Sequence, residues 1–413
     1  MISVAEALDL VLGRVRPGPA EEVGLDQAVG RVLAADAVAG LALPPFANSQ
    51  MDGFAVRAED LAGATAERPV ALRVVGTVAA GSVAATRVEP RTAMRIMTGA
   101  PLPGGADAVV RQEDTASEGD RVEVRVSVRP GEFVRPVGED VAEGETVLPR
   151  GRVLGAADVG LLAALGRAIV PVAARPRVAV LSTGDEVVPP GQPLPPGCIY
   201  NSNAWALAAA CREIGAEAVV LPIARDDRAA LRRSIAEAAA FDVALSIGGV
   251  SVGDFDHVKS VMDEIGLERL FWRIAQKPGK PLTFAERDGR LFFGLPGNPV
   301  SALVCFDLYV APALRSRLGM STPFPAAVEA VLACDVNTSR DLTEFVRCAL
   351  DFEDGRWTAR PTANQSSGAL RSLARADALV VSPPGTDRLR AGSTARALLL
   401  GAVRPLSATR PFD

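Results

Sequence analysis

At 413 residues, with 48% hydrophobic and 23% charged side chains, the chain has a globular composition and is too long for one ordinary core; about three domains are expected. Its 44 basic and 49 acidic residues leave a net charge of −5, which excludes a general nucleic-acid or acidic-membrane surface and confines any anion site to a local concentration of positive groups. The five cysteines (Cys198, Cys211, Cys305, Cys334, Cys348) contain no CxxC pair and His257 is the only histidine, so a Cys/His zinc site is excluded and the thiols read as reduced and mostly buried.

Met1 to Arg16 alternates Val, Ala and Leu with Glu6 and Asp9, which predicts an amphipathic helix rather than a secretion signal. From Ala20 to Ala174, Gly and Pro punctuate short alternating runs such as Ala71 to Val75 and Arg121 to Val128, read as strands and turns. Ala156 to Leu165 is helical and follows the Arg150-Gly151 turn; packed with the first helix it forms a connecting unit, which makes the β-rich part an insertion. The apolar stretch Val159 to Val172, broken by Arg167 and Pro171, is too short to span a membrane. A cytoplasmic protein without membrane or nucleic-acid partners is expected.

After Pro176 strands alternate with helices: Arg177 to Ser182, Ala204 to Ile214, Ala218 to Ile223, Arg228 to Ala240, and Asp242 to Ile247. That order implies βαβ units and a mostly parallel sheet. Asp226 is the predicted N-cap of the second helix and Gly215 the C′ residue of the first. Beyond Gly319, Ala327 to Leu400 reads as short strands of a carboxy-terminal β domain.

Candidate chemistry sits at strand ends. Ser182-Thr183-Gly184-Asp185-Glu186 follows a strand whose carboxyl end is the ligand side of a parallel sheet, with Gly184 permitting close backbone approach; by itself the string also reads as a solvated turn. Gly248-Gly249-Val250-Ser251-Val252-Gly253-Asp254-Phe255-Asp256 supplies backbone N–H groups and the Ser251 hydroxyl for phosphate oxygens, yet lacks the Gly-Lys-Ser/Thr ending of a P-loop. His257 reads as a helix-start or supporting residue, since no Ser-His-Asp set is apparent. In Lys277-Pro278-Gly279-Lys280-Pro281, with Arg273 upstream, two prolines fix a loop carrying two ammonium groups, which favours an oxyanion. Gly294-Leu295-Pro296-Gly297-Asn298-Pro299 opens a helix expected over Val300 to Leu314, where Asn298 either caps the helix or meets a ligand. Three further strings, Asn48 to Gly53, Arg95 to Pro101 and Gly138-Glu139-Asp140, read singly as turns.

Taken together and in this order, these strings resemble those of the molybdopterin molybdenumtransferase family, the MoeA-like proteins that include the carboxy-terminal region of gephyrin. The resemblance covers nearly the whole chain. It implies a multidomain α/β plus β fold: a helical connecting domain (1–45 and 140–175), an inserted β-rich lid (46–139), a molybdopterin-binding α/β domain (176–318) and a carboxy-terminal β-barrel (319–413), assembled as an elongated homodimer. It also implies a reaction in which adenylylated molybdopterin receives molybdate, its phosphoanhydride is cleaved with magnesium, and molybdenum cofactor and AMP leave.

Carried over position by position, the acidic residues are Asp52, Asp140, Glu186, Asp226 and Asp256, with Thr98 as a hydroxyl contact. Glu186, Asp226 and Asp256 form the implied metal set. The cationic residues are Arg273, Lys277 and Lys280, and Arg347 with Ser367, or its neighbour Ser366, resemble residues at the molybdate end. Thr183, Gly184, Gly248, Gly249, Ser251, Gly253 and Asn298 are the remaining substrate contacts. Asn201 stands where some members carry Asp, one carboxylate fewer. The resemblance further implies molybdopterin adenylyltransferase and apo-molybdoenzymes as partners. Two other functions remain open at this point: molybdopterin adenylyltransfer, which would not need the lid strings, and a scaffold or regulatory paralogue without catalysis.

Overall fold

Residues 1–248 and 257–401 are described by the structure, a computed structural model, and their apolar side chains divide among several separate cores. The first helix, Val4–Leu12, opens on a capping box in which Ser3 Oγ accepts from the Glu6 amide and the Glu6 carboxylate accepts from the Ser3 amide. Gly13 ends it before the expected Arg16, and Ala7 and Val11 are buried in the core of the α/β unit. Ala20–Gly24 pairs antiparallel with Ile169–Ala173, so the chain departs and returns at one place. Val23, Leu33, Leu154, Leu162, Val170 and Val172 form the core there, with the helix Ala156–Ala164 packed on it.

Between those two strands lies a six-stranded sheet in the order Ala108–Arg111, Gly53–Val56, Thr92–Ile96, Val70–Val78, Arg121–Val124, Thr115–Glu118. One face buries Phe54, Val56, Leu72 and Val110, the other Ala55, Met94, Ile96 and Val109, as period-2 alternation requires. The strand expected to reach Val128 stops at Val124.

The central sheet has the order Glu217–Val220, Arg177–Ser182, Val243–Ile247, Arg290–Leu295, Thr283–Arg287, Glu268–Trp272; the first four strands are parallel, Thr283–Arg287 runs antiparallel to both its neighbours, and Glu268–Trp272 therefore runs with the first four. From Arg177–Ser182 the chain moves to one neighbour and then crosses to the other, which places a topological switch point between the ends at Ser182 and Ile247. The helix Ser202–Ile214 ends at Gly215 in the left-handed region (φ 99°), as its sequence predicted. The next helix, Arg228–Ala238, corrects an expectation: its N-cap is Asp227, whose carboxylate accepts from the Ala230 amide at 2.8 Å, so Asp226 is not the cap. The helix that closes this unit begins at Pro299, one residue before the predicted start, and runs to Arg317 through a wider π-helical turn at Phe306–Val310.

The carboxy-terminal strands Thr343–Glu353, Arg356–Pro361, Ala327–Leu332, Thr394–Leu399 and Ala378–Ser382 pair in that order, and the last pairs back to the first, closing a five-stranded barrel. A two-residue strand of the α/β unit, Gln276–Lys277, adds to Thr343–Glu344 in parallel and joins the two units. Among the described residues no helix is long and apolar enough to cross a membrane. Cys211, Cys305 and Cys348 are buried free thiols, whereas Cys334 is exposed.

Candidate active site

At the switch point the parallel strands deliver their ends side by side. The amide and hydroxyl of Thr183 both donate to Ile247 O (3.1 and 3.2 Å), Gly184 N donates to Ala224 O (3.2 Å), and Gly248 N donates to Leu295 O (3.2 Å). Gly184 has a φ of 128°, and a Cβ there would lie 2.3 Å from Glu186 Oε2; its lack of a side chain lets the Glu186 carboxylate fold back over the turn. Glu186 and Asp226 are exposed on adjacent turns, tied together through Ala224, whose amide donates to Ser182 O at 2.9 Å. Among the described residues no group of three His, Cys, Asp or Glu is close enough to hold a metal ion. The third residue of the expected metal set, Asp256, lies outside the described residues together with Gly249, Ser251 and Gly253. Asn201 has a scaffolding role: buried, it accepts from Ser182 Oγ (2.9 Å) and from the Ala204 amide (3.3 Å), capping the helix that follows.

A cleft of about 500 Å³ lies where the loop after Gln276 meets the barrel, and it gathers Lys277, Lys280, Asn298, Arg347 and Ser367. Asn298 is the N-cap of its helix by position but makes no capping hydrogen bond with its side chain, which leaves the amide exposed at the cleft. Arg273 adopts a φ of 81°, with its amide donating to Leu282 O (3.0 Å) and its carbonyl accepting from the Ile2 amide (3.4 Å).

Two cationic residues are less free than their sequence suggests. Lys277 Nζ lies 2.9 Å from Glu344 Oε1, so this ammonium is not the unpaired charge expected of the loop. Arg347 is 1% exposed; its Nε donates to Ser372 Oγ (2.8 Å) and its Nη2 to the carbonyls of Asn364 and Ser366 (3.1 Å each). Burial pushes the Arg347 pKa below its ordinary value. The guanidinium therefore shapes the loop carrying Ser366 and Ser367. Ser366 Oγ accepts from Gly368 N within that turn, and Ser367 O accepts from the Val300 amide at 3.1 Å, locking the loop to the helix start.

Sequence reasoning missed the residues that brace the lysine loop. The buried Gln276 donates to Pro278 O (2.9 Å) and accepts from the Tyr309 hydroxyl, while Gly279 packs so closely that a Cβ would stand 2.4 Å from Cys305 Sγ. Glu344 was missed as well. Only the approximate place of Gln276, two residues before the first proline, set it apart in the sequence; its burial partners come from the helix thirty residues on.

The lid strings also converge. Asn48 pairs with Arg135 and bridges to Pro101, and Gly99 N donates to Ser49 O at 2.8 Å. Asp52 Oδ1 accepts from both the amide (2.7 Å) and the hydroxyl (2.8 Å) of Thr98; these two bonds, the amide's first, hold the Asp52 carboxyl below the usual range, with Arg95 adding a smaller effect. Asp140 lines an opening with Leu43, Pro44, Arg135 and Glu139. Within one chain no hydrogen bond or ion pair among the described residues connects Asp52, Thr98 or Asp140 to the loops of the central sheet.

Comparison with known proteins places this arrangement. Residues 2–166 match the MoeA N-terminal region (domain I and II), residues 179–316 a probable molybdopterin binding domain, and residues 329–400 the MoeA C-terminal region (domain IV). Molybdopterin molybdenumtransferase 2 of Mycobacterium tuberculosis is 42% identical over 404 residues, 95% of this chain and 98% of that protein. The chain belongs to the MoeA family of molybdopterin molybdenumtransferases. The molybdopterin molybdenumtransferase of Bacillus subtilis is 36% identical over 97% of this chain and 94% of its own length. A crystal structure of a molybdopterin biosynthesis MoeA protein from Pyrococcus horikosii superposes with a TM-score of 0.87 at 35% identity, covering 98% of this chain and 100% of that one. Such full-length matches include the amino-terminal strings around Asp52 and Thr98.

Proposed function

We propose that this chain inserts molybdate into adenylylated molybdopterin, releasing AMP and completing the molybdenum cofactor in the cytoplasm. The observation that carries the reading is the cleft in which Lys277, Lys280, Asn298 and Ser367 meet at the barrel, on the same loop edge as the switch point that bears Glu186 and Asp226. Amines, an amide and a hydroxyl suit a tetrahedral oxyanion, and the switch-point glycines suit a pyrophosphate-linked substrate.

Glu186 and Asp226 would offer hard carboxylate oxygens to magnesium, with Asp256 as the third ligand that the resemblance implies, and such an ion would supply neutralisation of the phosphoanhydride charge. The chain's own part is positioning: Lys280 and Lys277 hold oxyanion oxygens, Asn298 orients them, and Thr183 with Gly184 and Gly248 keeps the strand ends narrow. Phosphoanhydride cleavage rests on positioning and charge stabilisation, so a histidine base is not required. The domain boundaries that go with this reading are those the resemblance implies: 1–45 with 140–175, 46–139, 176–318 and 319–413. In a homodimer the lid of one subunit brings Asp52, Thr98 and Asp140 to the partner's switch point, completing the site; molybdopterin adenylyltransferase then supplies the substrate and apo-molybdoenzymes take the product.

Two incubations test the reaction. With adenylylated molybdopterin, molybdate and magnesium the protein should yield a product that activates an apo-molybdoenzyme; with molybdopterin and ATP alone it should yield nothing. Adenylylation in the second would assign the adenylyltransferase step instead, and silence in both would mark a paralogue without catalysis.

A further inference from the structure

We infer that Glu344 is an internal competitor for Lys277, a positioning residue that keeps part of the lysine's charge committed so that the cleft takes up and releases a tetrahedral dianion instead of retaining it. This rests on the reading above that the cleft holds molybdate.

Lys277 and Glu344 are direct partners in a parallel strand pair, so their side chains meet through the sheet register and not through a chance encounter of long chains on a surface. Both line the cleft. The Glu344 side chain is 9% exposed and its second oxygen accepts from the Ser339 amide at 2.8 Å, which fixes the carboxylate; the Lys277 side chain is 56% exposed, which leaves its ammonium able to reach a ligand. Lys280 makes no ion pair among the described residues, and Arg347 spends its guanidinium on the neighbouring loop. The cleft thus offers one open cation, one half-committed cation and one fixed anion. A dianion that recruits Lys277 must take it from Glu344 and come close to that carboxylate, and in a cleft of lowered dielectric both effects weaken its hold.

The fold does not need this charge. A pair half open to water contributes little to stability, and removing Glu344 from water opposes what it does contribute. A neutral glutamine keeps one acceptor, its carbonyl oxygen for the Ser339 amide, and presents an NH2 group that cannot hold the Lys277 ammonium. What the carboxylate adds over an amide is its effect on the cleft's charge.

The test is calorimetric titration of sodium molybdate at low ionic strength into the wild type, Glu344→Gln, Lys277→Gln and the double variant, with thermal melts of each. Glu344→Gln should bind molybdate on the order of tenfold more tightly, about 1.4 kcal/mol, with its melting unchanged. In turnover it should lower KM for molybdate and lower kcat with it, a split that lost structure does not produce. In the Lys277→Gln background the gain should shrink, because the competition no longer has an object and only the carboxylate's repulsion of the dianion is left to relieve. A fold-independent arm compares Lys277→Gln with Lys280→Gln: the uncommitted Lys280 should be the costlier loss. Equal or weaker binding by a folded Glu344→Gln, a gain undiminished without Lys277, or the reverse order of the two lysines would each overturn the inference. A wild type that binds no molybdate would instead sink the reading of the cleft, and this inference with it.

Discussion

Gly279 joins the two lysines of the cleft, and replacing it by alanine tests whether the loop is held by packing. Its φ of 96° lies in the left-handed region, where a side chain adds roughly 1–2 kcal/mol. The new methyl would stand 2.4 Å from Cys305 Sγ and 2.6 Å from Gln276 Nε2. Neither neighbour has room to retreat, since both are 0% exposed, and overpacking of that kind adds about 1–3 kcal/mol. Gly279→Ala should therefore lose roughly 2–5 kcal/mol in urea unfolding, and molybdate affinity should fall as Lys277 and Lys280 shift. In a Cys305→Ala background the nearer contact is gone, and the incremental loss should drop towards the backbone part. Gly297→Ala is the control: its Cβ meets nothing nearer than Gly248 Cα at 3.9 Å, so stability should stay within about 0.5 kcal/mol. A Gly279→Ala protein with wild-type stability and wild-type affinity would refute the argument that packing holds this loop.

Thr98→Val removes the hydroxyl that donates to Asp52 but keeps the amide, so the Asp52 carboxyl should rise part of the way back to its ordinary range in a carboxyl-detected NMR titration. Because the folded value is depressed, the stability this pair contributes is present above the unfolded value, near ~3.9, and is lost as pH falls through the folded one; the variant should lose it at a higher pH. Asp307 behaves in the opposite sense: burial pushes its carboxyl up to about 7, against the pull of Arg315 and with a smaller push from Glu213. The folded state then holds an extra proton, so stability should decline as pH rises from about 4 to about 7, and melting curves of Asp307→Asn should lack that decline. Asp52→Ala and Asp226→Ala chains, unfolded and refolded together, should regain roughly a quarter of wild-type activity if two subunits share each site, since about half the dimers are mixed and each carries one intact site. Mixed dimers that stay inactive would place both residues in one chain's site.

The switch point was legible because its signals are local: a strand, a glycine that must take positive φ at Gly184, and an acid beyond it. Gly215 ended its helix as predicted for the same reason. Capping was readable only to within a residue, since Asp226 and Asp227 are equivalent in the sequence and the helix phase selects the second. The lysine loop was read as cationic, yet its state depends on partners far along the chain: Glu344 pairs with Lys277 from the barrel, and Tyr309 anchors Gln276 from the helical run Pro299 to Arg317. No periodicity announces that Gln276–Lys277 would leave its own sheet to join the barrel, because two residues carry no pattern. Arg347 shows the same limit: the family resemblance pointed to a ligand, and its three hydrogen bonds show the guanidinium already engaged.

The central claim is that this chain couples cleavage of adenylylated molybdopterin to molybdate insertion through acids that hold magnesium and lysines that hold the oxyanion. It is tested most directly by measuring AMP release from adenylylated molybdopterin with molybdate and magnesium each present or omitted. The account predicts rapid release only when both are present, and loss of that release in Lys280→Gln even at saturating magnesium. Release that is equally fast without molybdate, or no release with both, would contradict it.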